Sequence, residues 1–319
     1  MTDAATRFRW VILSLLFFAT TVNYLDRIVF SILIPEIRKD LHLTDIDYGW
    51  INGAFQLAYT LGFLAMGKFI DRVGTKLGYL VSILWWSVAA AFHAVAGTGV
   101  ALGVWRFLLG LGESGNFPSC IKSVAEWFPK RDRAFATGIF NAGTNVAATI
   151  GPPIIIAMAA AYGWRAAFLI TASLGALWVP LWWRFYDSPD RHPAVNAAEL
   201  AYIRSDQDEK APPVGWLAAL VHRETWGFAV GKFLTDPVWW FYLTWLPLYF
   251  YDVRKFNLKE IGWALPVIYL AADFGSVGGG WISGYLIRRG WAGGRARKAA
   301  MAVAAACMPL AVTAVLVQS

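Results

Sequence analysis

The chain has 319 residues, of which 58% are hydrophobic and only 15% charged, against about 45–50% and about 25% in soluble domains. So few charges cannot cover a soluble surface of this size, and disorder, a disulfide scaffold, collagen and an ordinary cytosolic enzyme are excluded. The 18 tryptophans suit a protein with two membrane–water interfaces to line, and the composition as a whole is that of an all-α polytopic membrane protein. The formal net charge of +7 carries information only once the charges are placed.

Two cysteines, Cys120 and Cys307, lie in apolar stretches and form neither a disulfide framework nor a metal spacing. The four histidines are scattered, so no metal site and no cofactor is expected. The N-terminal MTDAATRFRW runs straight into an apolar segment with no small-residue cleavage site. It reads as a retained helix.

A helix that crosses a bilayer needs about 20 mostly apolar residues. In chain order, that length predicts nine spans: 10–34, 48–67, 78–97, 101–125, 134–158, 163–185, 226–251, 261–283 and 298–318. The hydrophilic gaps are short except for 186–225, a water-exposed linker in which Asn196–Asp208 could form a short surface helix. With the N-terminus inside, the basic residues cluster in the tail (Arg7, Arg9), in the loops holding Lys68, Arg72, Lys76 and Lys130, Arg131, Arg133, in the linker, and around Arg288–Lys298. Outside lie Arg38, Lys39, Arg165, Arg254, Lys255 and Lys259. That asymmetry is the positive-inside rule. It sets the orientation and removes nucleic acid as a partner; the partners left are the lipid bilayer and whatever the helices enclose, with the oligomeric state open.

A shift of 213 residues lays Gly49-Trp50 on Gly262-Trp263, Gly62 on Gly275 and Gly67 on Gly280. The second and eighth spans are therefore expected to be equivalent members of two duplicated halves, a construction common in secondary transporters. Six helices per half predicts a twelve-helix protein, of which nine are present. The expected division is 1–185 for the first half, 186–225 for a cytoplasmic linker, and 226–319 for the first three helices of a truncated second half.

After the second span comes Gly67-Lys-Phe-Ile-Asp71-Arg72-Val-Gly74-Thr-Lys76, which resembles the signature cytoplasmic loop of the major facilitator superfamily. Gly67 would let two helices approach closely, and Asp71 and Arg72 can make charge-assisted contacts at helix ends that lock an inner gate. Asn23-Tyr24-Leu25-Asp26-Arg27 lies in the first span, and Arg106-Phe-Leu-Leu-Gly110-Leu-Gly112-Glu113, Trp127-Phe128-Pro129, Trp164-Arg165-Ala-Ala-Phe168 and Lys232-Phe-Leu-Thr-Asp236-Pro237-Val-Trp239-Trp240 follow in later spans and loops. Together they resemble the anion:cation symporter branch of that superfamily, most of all its bacterial hexuronate transporters. The resemblance implies a major facilitator fold in the inner membrane and proton-coupled uptake of a sugar-acid monoanion by alternating access. Another organic anion, or a non-transporting truncated remnant, are the alternatives. An enzyme would need a nucleophile–base set or a metal cluster, and the sequence supplies neither. Gly151-Pro152-Pro153 resembles the family's Gly-Pro bend.

A charge at mid-membrane costs about 2.5–3.5 kcal/mol or more, so Asp26, Arg27, Arg106, Glu113, Lys232 and Asp236 need partners or a wet cavity. Arg106 and Glu113, seven apart, share one helix face, and Lys232 and Asp236, four apart, can pair. An arginine fork binds a carboxylate through two hydrogen bonds, so Arg27 or Arg106 could hold an anionic substrate. Asp26 and Glu113 could carry the coupling proton, since burial and a nearby arginine act on a carboxyl in opposite directions; the resemblance supports both roles. Permanent ion pairs that fix helix packing are the alternative. Tyr24, Asn116, Asn141, Asn145 and Tyr242 could read sugar hydroxyls, Trp239 could stack on the ring, and Lys232 could add a charge. Each of these polar groups could equally hold helices together.

Overall fold

The structure is a computed structural model that describes residues 5–206, 218, 220–307 and 309, less the side chains of 273, 276 and 277. Among the described residues it consists of helices joined by short turns, with no strand. They are α1 (Phe8–Leu41), α2 (Asp45–Val73), α3 (Thr75–Phe92), α4 (Gly99–Glu113), α5 (Asn116–Trp127), α6 (Lys130–Tyr162), α7 (Trp164–Phe185), α8 (Ala197–Arg204), α9 (Arg223–Asp252), α10 (Leu258–Arg288) and α11 (Gly293–Cys307). The chain divides into two compact units, Met1–Trp263 and Ala264–Ser319. Everything described below about the site lies in the first.

Most helices outrun the predicted spans. The 34 residues of α1 make a rod of about 50 Å, well beyond a hydrocarbon core of about 30 Å. The predicted fourth span is two helices, because α4 ends at Glu113 and α5 begins at Asn116. At the junction the Gly115 N–H bonds to Gly112 O, and Ser114 Oγ donates back to Leu111 O at 2.6 Å. This tight turn interrupts the regular ladder and leaves the buried Glu113 at a helix end. The ninth predicted span begins as α11; positions 308 and 310–318 of it lie outside the described residues. Among the described residues, four helices are long and apolar enough by themselves to cross a membrane: Phe8–Leu41, Thr75–Val95, Lys130–Tyr162 and Trp164–Phe185. Others fall short for physical reasons: α4 and α5 are individually short, α2 carries Asn52, Gln56 and Thr60, and α9 carries Lys232 and Asp236.

Two glycines set how closely helices pack. A Cβ at Gly110 would sit 2.5 Å from Phe55 O, where α4 crosses α2, and one at Gly143 would sit 2.7 Å from Phe17 O, where α6 crosses α1. Such small-residue contacts bring backbones together where apolar burial alone gives no drive. At Gly67 the expectation of close approach is not met, since a Cβ there would touch nothing within 4 Å. The expected interfacial role does not extend to every tryptophan: Trp86, Trp127, Trp178 and Trp182 are fully buried, whereas Trp50, Trp183, Trp226, Trp263 and Trp281 are exposed. Trp178, Trp182 and Tyr186 form a stack with centroid spacings of 4.8 and 3.9 Å. Their ring nitrogens are satisfied in the core, Trp178 by Leu15 O at 2.9 Å and Trp182 by Lys76 O at 3.0 Å.

The linker helix α8 matches the predicted segment but is not a free surface helix. Glu199 and Ile203 are fully buried. The Glu199 carboxylate accepts from Phe8 N, Arg9 N, Thr6 Oγ1 and Arg9 Nη1 at 2.6–3.2 Å, capping the start of α1. Asp206, just after it, accepts from Lys130 N and Arg131 N and caps α6 in the same way.

The 213-residue offset reappears in the helix termini. The helix starts at Asp45 and Leu258 are separated by it. Thr44 and Asp47 exchange bonds in a capping box ahead of α2, and at the same offset Asn257 and Glu260 do so ahead of α10, at 2.7 and 3.0 Å. The two helices thus share a starting device as well as glycine positions.

Candidate functional site

The charges predicted in the first and fourth spans come together at the centre of the first unit. Arg27 and Glu113 form a buried ion pair, with Arg27 Nη2 and Nε donating to Glu113 Oε2 at 2.7 and 2.9 Å. Glu113 Oε1 has no hydrogen-bond partner, so one oxygen takes both donors and a bidentate fork is not formed. Four rings surround the guanidinium, Tyr24, Phe55, Tyr59 and Trp240, with centroids at 4.7–5.2 Å. Each such contact is worth about 0.5–2 kcal/mol, which helps to hold the cation where water is excluded.

Arg106 lies beside this pair. Its Nη2 donates to Arg27 O at 2.9 Å, while Nε and Nη1 are buried without partners. Its guanidinium rests on Phe30 and Phe55 at 4.8 and 4.9 Å. Asp26 points away from Arg27, as adjacent positions on a helix must. Both of its oxygens lack partners, and the polar groups near it are Thr171, Arg106 and Glu113. Buried polar atoms are rarely left open, and in this cluster they lie on Arg106, Asp26 and Glu113.

Next to the cluster, α2 and α9 flank an open pocket of about 590 Å³ lined by Asn52, Gln56, Thr60, Lys232, Asp236 and Trp240 among others. Trp240 belongs to both, since it also covers Arg27. Lys232 and Asp236 pair at 2.8 Å and are about half exposed. A groove of about 640 Å³ between α2 and α4 is larger but lined almost wholly by apolar groups such as Leu43, Trp50 and Ile51; it offers no recognition chemistry. At one end of the bundle Arg38 grips Asp252 with two bonds of 2.9 Å. Tyr48 OH donates to Thr244 O at 2.6 Å close by. These contacts tie α1 and α2 to α9.

The other candidates are distributed. Asn116 is occupied elsewhere: Tyr79 OH donates to its Oδ1 at 2.5 Å, and its Nδ2 reaches Thr20 Oγ1 at 3.4 Å. Asn141 and Asn145 lie one turn apart on α6, where Thr144 Oγ1 donates to Asn141 O and to Asn145 Oδ1. Trp239 is half-buried on α9, and Tyr242 is 37% exposed beside Phe241. In the signature loop Asp71 pairs with Lys122 of α5 at 2.9 Å, and the same ammonium donates to Ile70 O; Arg72 is exposed. Residues not anticipated from sequence are Tyr59 and Trp240 on the Arg27 cage and Asn52, Gln56 and Thr60 on the cavity wall. The last three recur every fourth residue of α2. That polar stripe was a readable signal.

The family model of the Major Facilitator Superfamily matches residues 16–319. The chain belongs to that superfamily. It is 32% identical over 279 residues to a galacturonate transporter of Dickeya chrysanthemi, covering 86% of this chain and 81% of that protein. It is also 32% identical to a hexuronate transporter of Escherichia coli K12, covering 86% of this chain, and it spans only 65% of that relative's length. A D-galactonate transporter of E. coli is 30% identical over 305 residues. The resemblance read from the motifs is borne out. A crystal structure of a bacterial homolog to the human lysosomal transporter Spinster, inward-facing and unoccupied, superposes with a TM-score of 0.74. It covers 90% of this chain and 64% of that one at 19% identity, a likeness of fold alone. The chain is thus a multi-pass membrane protein of a transporter family rather than an enzyme.

Proposed function

We propose that this chain carries a sugar-acid monoanion such as a hexuronate inward with protons, by alternating access about the Arg27–Arg106–Asp26–Glu113 cluster. The observation that carries the reading is the buried Arg27–Glu113 pair, whose guanidinium is separated only by Trp240 from an open pocket with a polar wall. With all four groups ionised the cluster is neutral. A proton on Asp26, whose oxygens meet no donor, relieves the cost of a bare buried carboxylate. The cluster then carries one net positive charge, the complement of a monoanion.

Arg106 offers the substrate carboxylate two free donors, and Arg27 can add its own by swinging from Glu113. Glu113, stripped of its cation, takes up a proton, so arrival of the anion and loading of the proton favour each other. Tyr24, Asn116, Asn141, Asn145, Lys232, Trp239 and Tyr242 remain proposed contacts for the hydroxyls and ring. Of these, Asn116 could serve only by releasing Tyr79 and Thr20. Asp71 and Arg72 form the proposed inner gate, and the Arg38–Asp252 grip its outer counterpart. The proposed setting is the inner membrane with a cytoplasmic N-terminus, residues 186–225 linking a first half to 226–319. The relatives named for galactonate and for galactarate/glucarate favour a second substrate class, aldonates and aldarates.

The test is uptake of galacturonate, glucuronate and galactonate into proteoliposomes holding the chain, with and without an inward proton gradient. Accumulation of a sugar acid only with the gradient is expected. Equal uptake in both conditions would overturn coupling, and no binding of any of the three would overturn the substrate class.

A further inference from the structure

His93 is fully buried in the short 3-10 turn (His93–Val95) that follows α3, and nothing in the transport reading uses it. Its Nδ1 lies 2.8 Å from Ala89 O. A carbonyl can only accept, so Nδ1 carries the hydrogen and Nε2 is left as a bare acceptor. That Nε2 is buried with no partner. An apolar residue or a tautomer with both nitrogens satisfied would serve packing better.

The surroundings connect this nitrogen to the ionic cluster. The ring stacks on Phe168 of α7, centroids 5.0 Å apart and planes within 8°. Thr171, three residues on and therefore on the same face of α7, lies beside Asp26 and donates to Phe168 O at 3.2 Å. From α4 the charged group that faces the imidazole is Arg106, which also neighbours Asp26; from α7 the imidazole meets Phe168, which carries no charge. Four buried groups with open polar atoms therefore follow one another: His93, Arg106, Asp26 and Glu113. Along α4, Arg106 and Glu113 lie about 10 Å apart. His93 lies towards the end of the bundle that holds the α1–α2 turn, where Gly99 abuts Leu43. In the proposed orientation this is the outer end.

We infer that His93 is the outer relay of the proton path, taking protons from the outer side and passing them to Asp26. Nε2 accepts a proton while Nδ1 keeps its own. The imidazolium then releases the Nε2 proton past the Thr171 hydroxyl to Asp26, which has passed its own proton to the Glu113 freed by substrate, and returns to its starting tautomer. One proton moves at each step, and no other bond changes. Arg106 gives the relay its timing: its cation opposes a second positive charge on His93, and a substrate carboxylate on Arg106 removes that opposition. The inference rests on the proton-coupled reading above.

The experiment compares His93→Asn and His93→Gln with the parent chain in proteoliposomes. Asn keeps a donor for Ala89 O, Gln nearly fills the ring's volume, and neither carries a proton at Nε2. Two assays are run, gradient-driven accumulation of galacturonate over a series of external pH values, and substrate exchange without a gradient. A positioned proton-transfer group contributes about 100-fold or more. The expected result is a loss of that order in gradient-driven rate and a flattened external-pH profile, with exchange unchanged in at least one variant. Undiminished accumulation overturns the inference, as does parallel loss of accumulation and exchange in both variants. Failure of the parent chain to accumulate substrate is a separate outcome and overturns the proton-coupled reading instead.

Discussion

Glu113→Gln separates a proton carrier from a structural ion pair. In the structure Arg27 Nη2 and Nε both donate to Glu113 Oε2, at 2.7 and 2.9 Å, and the amide oxygen of glutamine can accept both. Removing one partner of a buried pair outright costs about 3–5 kcal/mol. Keeping the acceptor confines the loss to the charge assistance, part of the roughly 1.5–3 kcal/mol of a hydrogen bond to a charged group, and the four rings around Arg27 still hold the cation. The variant is therefore expected to fold and to bind. One coupled proton converts each pH unit of gradient into about 1.4 kcal/mol, or about tenfold accumulation. Two pH units should thus drive about 100-fold accumulation in the parent and none in the variant, while counterflow exchange persists. The assay is radiolabelled galacturonate in proteoliposomes with imposed gradients. Gradient-driven accumulation in Glu113→Gln would refute the reasoning and return the pair to packing.

Arg106→Lys should raise the substrate dissociation constant by about 10–100-fold, because the two open donors at Nε and Nη1 are replaced by one ammonium that cannot fork; isothermal titration with galacturonate checks it. Asp71→Asn removes an exposed pair with Lys122, worth about 0–1 kcal/mol. Melting temperature and affinity should hold while turnover falls, and a loss confined to affinity would contradict the gate. Reversing the outer pair with Arg38→Asp and Asp252→Arg together should restore much of the transport lost in either single variant. Double-mutant uptake no better than the singles would argue against a direct clasp.

The parts of this molecule legible from sequence are those where a local cost had to be met. Charges such as Arg27 and Glu113 in apolar segments betray a site because burying them is so expensive, and the loop motif places the chain in its superfamily. The repeat was proposed from Gly49-Trp50 and Gly262-Trp263, and the boxes at Thr44–Asp47 and Asn257–Glu260 recur at the same offset. What escaped depends on which helices meet. Trp240 covers Arg27 from more than 200 positions away, and Asn116 turns to Tyr79 rather than to the cluster because α3 lies against α5. Glu199 falls in the segment expected as a short surface helix, yet it caps α1 from 190 residues downstream. Gly67 fits a close-approach motif and has open space beside it. Spacing along one helix says which side chains share a face; it does not say what that face meets.

The most direct test of the account is a proton measurement rather than a sugar measurement. Proteoliposomes holding the chain and a trapped pH dye, at equal pH inside and out, are given external galacturonate with the membrane potential clamped. Coupled uptake predicts that the lumen acidifies as the sugar acid enters, and that Glu113→Gln abolishes the signal. Galacturonate entry with no change in lumenal pH would contradict the central claim.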